Sequence, residues 1–294
     1  MRIMLDEHRT RRMAGIFAAL LVLCPWLLPG TLYAQTLDHI RQNNTIRIAY
    51  RADAPPFSYN GSNDKPSGFM VDLCRAVVSQ IGQQLNLPSL KTTYVTVTAA
   101  DRFEAIQQNK ADLLCEPTSS TLSRRKLVDF SISTFVDGAS LMITPNGPHN
   151  LQALAGQTVG VLSGTTTEQE LHNSLQRAGV TATIIPAQTH AEGLAMLDGG
   201  KTSAYFADRS ILLALIASSK APDKLRLADA YLTIETYALA LPRGEDDFRL
   251  EVDRALSHIY GSGEITSILG QTFGKNVQLG SMLQMVYILS GLPD

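Results

Sequence analysis

Ile46, Ile48 and Tyr50 alternate with other residues over Thr45 to Tyr50, the two-residue period of a strand, and Pro55–Pro56 stops the run. From Phe69 the spacing changes. Val71, Cys74, Val78, Ile81 and Leu85 recur at three- and four-residue intervals, which predicts an amphipathic helix with Cys74 on its buried face. Val95 and Val97 mark a second strand, Asp101 is placed to cap a short helix through Gln108, and Ala111 to Cys115 reads as a third strand.

Strand, helix, strand, helix, strand is the signature of a mostly parallel sheet covered on both faces. The same order restarts downstream: strand Thr158 to Leu162, helix Thr165 to Gln176, strand Thr183 to Ile185, helix Ala191 to Leu197, strand Ser203 to Ala207. Between the units, Gly138 to Pro148 is strand-like and ends in a turn punctuated by Pro and Gly. Thr236 to Leu241 is a second strand-like stretch, followed by a helix carrying Phe248, Val252, Ala255 and Ile259. Two crossings imply that the chain leaves one lobe, builds another and returns. The expected division is lobe I over 35–143, lobe II over 144–236, a return to lobe I over 237–275, and a C-terminal extension over 276–294.

Residues 1–34 have the layout of an export signal. Arg2, Arg9, Arg11 and Arg12 precede an apolar run from Ala14 to Leu28, and Gly30 to Ala34 ends in a small residue suited to cleavage. Cleavage near Ala34 and a periplasmic location are expected; an uncleaved anchor is the alternative, although the run contains Pro25 and is short for a membrane span. Cys24 follows Leu23 rather than a small residue, so lipidation is not expected. Losing this segment removes four Arg, Asp6 and Glu7, which leaves 21 basic and 25 acidic residues. That mildly acidic balance gives no footprint for nucleic acid. It also removes Trp26, the one tryptophan. Cys74 and Cys115 remain, an even pair in an oxidising compartment. They are expected to form a disulfide, because Cys74 lies on the helix face that packs on the sheet and Cys115 ends a strand of that sheet; two buried thiols are the alternative.

Signals for catalysis are weak. The six histidines show no metal-ligand spacing, no Gly-rich phosphate loop is present, and Ser163–Thr165 is not a nucleophile elbow. No metal or cofactor is expected. The informative polar residues sit at the carboxyl ends of predicted strands, where open α/β sheets place ligands: Arg51, the segment Cys115 to Arg124, Ser163 to Glu168, and Asp208. Thr165 and Glu168 have the spacing of a capping box, and a helix N-terminus suits a carboxylate; a well-capped helix and nothing more is the alternative. Arg124 can grip a carboxylate and Asp208 an ammonium, so together they describe a zwitterion, while each alone reads as a surface charge.

Ordered landmarks extend over roughly residues 36–275: TLDHIRQNNTIRIAYR, PPFSY at Pro55 to Tyr59, GFMVDLC at Gly68 to Cys74, ADLLCEPTSSTLSRRKLVDFS from Ala111, SGTTTE, and YFADRSILL from Tyr205. In these the sequence resembles the family 3 periplasmic amino-acid-binding proteins of ABC importers, and within them the glutamate/aspartate-binding branch. The resemblance implies the type II periplasmic-binding-protein fold, two α/β lobes joined by two hinge strands, acting as a monomer that delivers ligand to a membrane permease. Carried over residue by residue, it assigns the ligand α-carboxylate to Arg124, Ser119 and the amide and hydroxyl of Thr166, next to the helix cap Thr165. Asp208 and the Pro117 carbonyl take the α-ammonium, and Arg51, Arg102 and His190 take a side-chain carboxylate. The sequence departs from the pattern at Glu116 and Pro117, where the family has small residues, and at Leu239, where the branch has a cysteine partner for Cys115.

Two other functions fit the same fold. One is an enzyme of the cyclohexadienyl dehydratase type, for which Glu116 is the unusual acid; the other is a sensor that presents ligand to a receptor.

Overall fold

The computed structural model describes residues 35–228 and 231–293, so the expected export signal lies outside the described residues. A helix that the sequence reading did not assign, α1 (Gln35–Asn43), buries Leu37 and Ile40 and leads into β1 (Thr45–Arg51). After β1 the chain folds a small antiparallel sheet of β2 (Asp53–Ala54), β3 (Ser58–Asn60) and β4 (Pro66–Ser67). The predicted amphipathic helix is α2 (Phe69–Gln84), with Phe69, Leu73, Cys74, Val77 and Ile81 buried. Then come β5 (Lys91–Val97), α3 (Arg102–Gln107), β6 (Leu113–Leu114) and β7 (Asp129–Asp137).

The second lobe contains β8 (Ala139–Ile143), β9 (Thr158–Leu162), α4 (Thr166–Ala178), β10 (Thr183–Ala187), α5 (His190–Asp198), β11 (Ala204–Asp208), α6 (Arg209–Ser218) and β12 (Arg226–Leu227). The chain returns through β13 (Glu235–Leu241), followed by α7 (Asp246–Gly261), α8 (Glu264–Phe273) and α9 (Ser281–Ser290). Tyr287 of α9 is buried against Tyr260, with ring centroids 4.8 Å apart. Its hydroxyl donates to Thr134 O at 3.2 Å, so part of the C-terminal extension packs on the first lobe.

Each lobe is built on a five-stranded mixed sheet, in the orders β5-β1-β6-β13-β7 and β10-β9-β11-β8-β12. The βαβ units are parallel, and the strands next to the crossings, β7, β8, β12 and β13, pair antiparallel. In the first sheet, Ile48, Leu113 and Leu239 enter one core layer while Ala49, Leu114 and Ala240 enter the layer on the opposite face. This is the period-two alternation of a sheet covered on both sides.

β7 belongs to the first sheet and β8 to the second, so the chain changes sheets at Gly138, five residues before the expected division at 143. At Gly138 the outgoing and returning chains touch: Leu232 N–H donates to Ala139 O at 2.8 Å, and Ala139 N–H to Thr233 Oγ1 at 3.0 Å. A Cβ at Gly138 would stand 2.1 Å from Thr233 O, so only glycine permits this approach. Cys74 and Cys115 are bonded, with sulfurs 2.00 Å apart, and join α2 to the end of β6.

Candidate functional site

All nine residues singled out for ligand binding, Arg51, Arg102, Pro117, Ser119, Arg124, Thr165, Thr166, His190 and Asp208, line one cavity at the carboxyl ends of both sheets. Its remaining walls are Thr167 and the apolar Leu162, Phe206, Ala207 and Ile211.

Arg51 ends β1. Its backbone N–H is held by Ser58 Oγ at 2.9 Å and its Nε donates to Asp53 Oδ1 at 2.9 Å. Arg102 opens α3 and is only 2% exposed, so it turns inward rather than to solvent. It donates to Ala99 O and, across the cleft, to Gly164 O at 3.3 Å. Burial is the largest influence on its guanidinium and lowers its pKa to about 10, with Glu116 opposing. Arg124 donates to Ser119 O at 2.9 Å. Burial lowers its pKa too, against the opposing pull of Glu116, Glu235 and Asp208. Phe103, which the sequence reading passed over, supports both cations: Arg102 lies 4.6 Å and Arg124 5.3 Å from its ring centroid.

The predicted helix start in the second lobe is present, with one change. Thr165 Oγ1 accepts from Glu168 N–H at 3.1 Å, but Glu168 closes the box on Gly164 N–H at 2.9 Å rather than on Thr165 itself. Thr165 also donates to Leu162 O at 2.7 Å, so its hydroxyl is occupied by the cap. The amides of the first turn of α4 lack intrahelical partners, which leaves donors suited to an anion. A second cap differs from expectation: Asp101 accepts from Thr98 N–H at 2.6 Å and does not cap α3 through its side chain.

His190 opens α5 and is 3% exposed. Nδ1 sits 3.0 Å from the Tyr205 hydroxyl and Nε2 has no partner. Burial, aided by Arg51, pushes its pKa well below the usual histidine value, so the ring is neutral. Gly193, one turn along α5, makes room for Tyr205, since a Cβ there would lie 2.0 Å from the ring.

Asp208 ends β11, where Thr167 Oγ1 donates to it at 3.3 Å. Strand register gathers two more acids nearby: Asp208 is opposite Ala139, and Glu235 is opposite Asp137. Burial first, then Asp137 and Glu235, raise the pKa of Asp208 to about 7. This end of the cavity therefore has excess negative charge, and a cation there restores ordinary ionisation.

Glu116 does not line the cavity. It is fully buried behind the arginines, with Oε1 3.3 Å from Arg102 Nε and Oε2 3.8 Å from Arg51 Nη1. Strand register explains the placement. Ala49 pairs with Leu114, and Arg51 and Glu116 each lie two residues further on neighbouring chains.

Residues 46–275 match the model of bacterial extracellular solute-binding proteins, family 3. The chain is 33% identical over 246 residues to the L-glutamate/L-aspartate-binding protein of Pseudomonas aeruginosa, covering 82% of this chain and 81% of that protein. It is 30% identical over 256 residues to the glutamate/aspartate import solute-binding protein of Salmonella typhimurium, covering 87% and 84%. Among solved structures, the solute receptor for L-cysteine of Neisseria gonorrhoeae aligns with a TM-score of 0.72 at 24% identity, covering 83% of this chain and 97% of that one. The match across most of the chain, on the two-sheet framework that builds this cavity, shows that the protein belongs to family 3 of the bacterial extracellular solute-binding proteins.

Proposed function

We propose that the protein is the periplasmic amino-acid-binding component of an ABC importer and captures free L-glutamate or L-aspartate by closing its lobes. The observation that carries this reading is the pairing of Arg124, from the first lobe, with Asp208, from the second, on one cavity. A zwitterion placed between buried Arg124 and half-buried Asp208 pairs both charges, and closure removes the water that would screen them. Arg124, Ser119 and the first amides of α4 take the α-carboxylate, and Asp208 takes the ammonium with the Pro117 carbonyl. Arg51, Arg102 and the unpartnered Nε2 of His190 supply donors for a side-chain carboxylate.

Binding alone accounts for this arrangement, and no chemical step is assigned to it. The acid on which a dehydratase reading would rest, Glu116, is outside the cavity wall. Calorimetry with glutamate, aspartate, glutamine, asparagine and arginine on protein freed of co-purified ligand tests the proposal. Thermal shift supplies a second readout, because a hundredfold excess over Kd stabilises the bound form by about 2.7 kcal/mol. Tighter binding of glutamine or arginine than of glutamate overturns the acidic specificity. Formation of an aromatic product from prephenate or arogenate overturns the non-enzymatic reading.

A further inference from the structure

Glu116 combines three properties that the binding scheme does not use. It is fully buried, it contacts two of the arginines that line the cavity, and neither carboxylate oxygen receives an aligned hydrogen bond. A side chain placed only to orient the guanidiniums would be expected to hold them through aligned hydrogen bonds. Glu116 instead lies at ion-pair distance from both, which makes charge its main contribution.

That charge alters what the cavity offers a ligand. Arg51 already faces Asp53 at 2.8 Å, and Arg102 faces Glu116 at 3.3 Å. Burial pushes the pKa of the Glu116 carboxyl upward while Arg102, Arg51 and Arg124 all pull it back toward the charged form, so each cation arrives beside a carboxyl group of its own. The anions are not equivalent. The Asp53 side chain is 24% exposed and is screened by water, whereas that of Glu116 is 0% exposed and its field reaches the cavity with little screening.

We propose that Glu116 is a specificity-determining residue: as an internal counter-ion behind Arg51 and Arg102, it reduces the margin by which the cavity prefers a carboxylate-ended side chain over its amide analogue. This inference rests on the proposed amino-acid binding, and it adds one residue outside the cavity wall to the three donors that set the acid-to-amide ratio. An isosteric neutral residue at 116 leaves Arg102 without its buried anion, and a ligand carboxylate is then the group best able to replace it.

Glu116→Gln provides the test, with the affinity ratios of glutamate to glutamine and aspartate to asparagine measured by calorimetry. The expected result is that both ratios rise by about tenfold or more over the natural protein. Asp53→Asn, which removes the same charge from the water-screened partner, is expected to shift them by less than about threefold. Should Glu116→Gln not fold, as judged by circular dichroism, Glu116→Ala gives the same readout; if neither folds, Glu116 is a structural counter-ion and the inference fails. Equal loss of affinity for acid and amide would mean that Glu116 only positions the arginines, and would overturn it. So would a shift in Asp53→Asn as large as that in Glu116→Gln. If the natural protein binds none of the four ligands, the functional proposal itself is what fails; if it binds them and the ratios do not move, only the role of Glu116 does.

Discussion

Ser119 Oγ lies 3.2 Å from Thr166 Oγ1, a hydroxyl of the first lobe against a hydroxyl of the second. With the bond from Arg102 to Gly164 O, it is a direct polar contact between the cavity walls. Such contacts break when two lobes swing apart about their crossings. Small-angle scattering is expected to give a larger radius of gyration without ligand than at saturation. Identical profiles would rule out closure as the binding step.

Arg124→Ala is expected to cost about 3–5 kcal/mol of binding, at least about a hundredfold, because it leaves a buried ligand carboxylate without its charged partner. Phe103→Ala keeps every charge and removes the ring under Arg102 and Arg124, so a smaller loss of about 0.5–2 kcal/mol is expected. Calorimetry separates the two, and a loss below tenfold for Arg124→Ala would place that side chain outside the binding scheme.

Affinity should depend on pH through Asp208, whose pKa is raised to about 7, first by burial and then by Asp137 and Glu235. The ammonium requires the ionised form, so affinity is expected to fall as pH drops below about 7. His190 stays neutral across that range because burial pushes its pKa well below the usual value. Asp208→Asn should bind weakly with a flatter profile. The linkage to folding has the opposite sense: a raised carboxyl contributes stability that is fully present below its unfolded value near 4 and is lost as pH rises through about 7. Ligand-free Asp208→Asn should therefore gain thermal stability over the natural protein at pH 8, with the gain shrinking toward pH 4.

Cys74→Ser is expected to cost roughly 3–4 kcal/mol of stability, since the bridge closes a loop with a sequence separation of 41 residues. Urea unfolding of the natural protein with and without reductant should show the same difference. Equal midpoints would contradict it.

Gly193→Ala places a methyl group against the Tyr205 ring and is expected to destabilise by about 1–3 kcal/mol. Because Tyr205 holds His190, affinity for dicarboxylic amino acids should fall more than affinity for alanine. An unchanged ratio would remove Tyr205 from the positioning of His190.

Much of the framework was legible because both sheets use the two simplest periods: alternation in β1, three-four spacing in α2, and a cap at Thr165. α6 was missed because Ile211 to Ile216 is apolar all round, a pattern without a period. β7 was missed because it carries polar Ser131, Ser133 and Thr134, two of which find side-chain partners within the lobe: Ser131 Oγ accepts from Leu239 N–H and Thr134 Oγ1 donates to Tyr237 O. The cavity residues were legible as charges at strand ends. Their supporting groups, Phe103, Tyr205 and Gly193, were not, because an aromatic ring under a guanidinium or a glycine under a ring leaves no local sequence signature. Glu116 was visible as an oddity, but its position behind the arginines depends on the register of β1 with β6.

The pairing of Asp208 with Ala139, the first residue past the Gly138 crossing, bears on the order in which a ligand's groups are recognised. A point on a turning body travels in proportion to its distance from the axle, and Asp208 is next to one of the two places where the chain passes between the lobes. In the proposed closure its carboxylate is therefore expected to travel less than residues farther along the second lobe. On that reading the amino group of an arriving molecule would be moored while the entrance is still open, and the opposite wall would then swing in on a guest already anchored at one end.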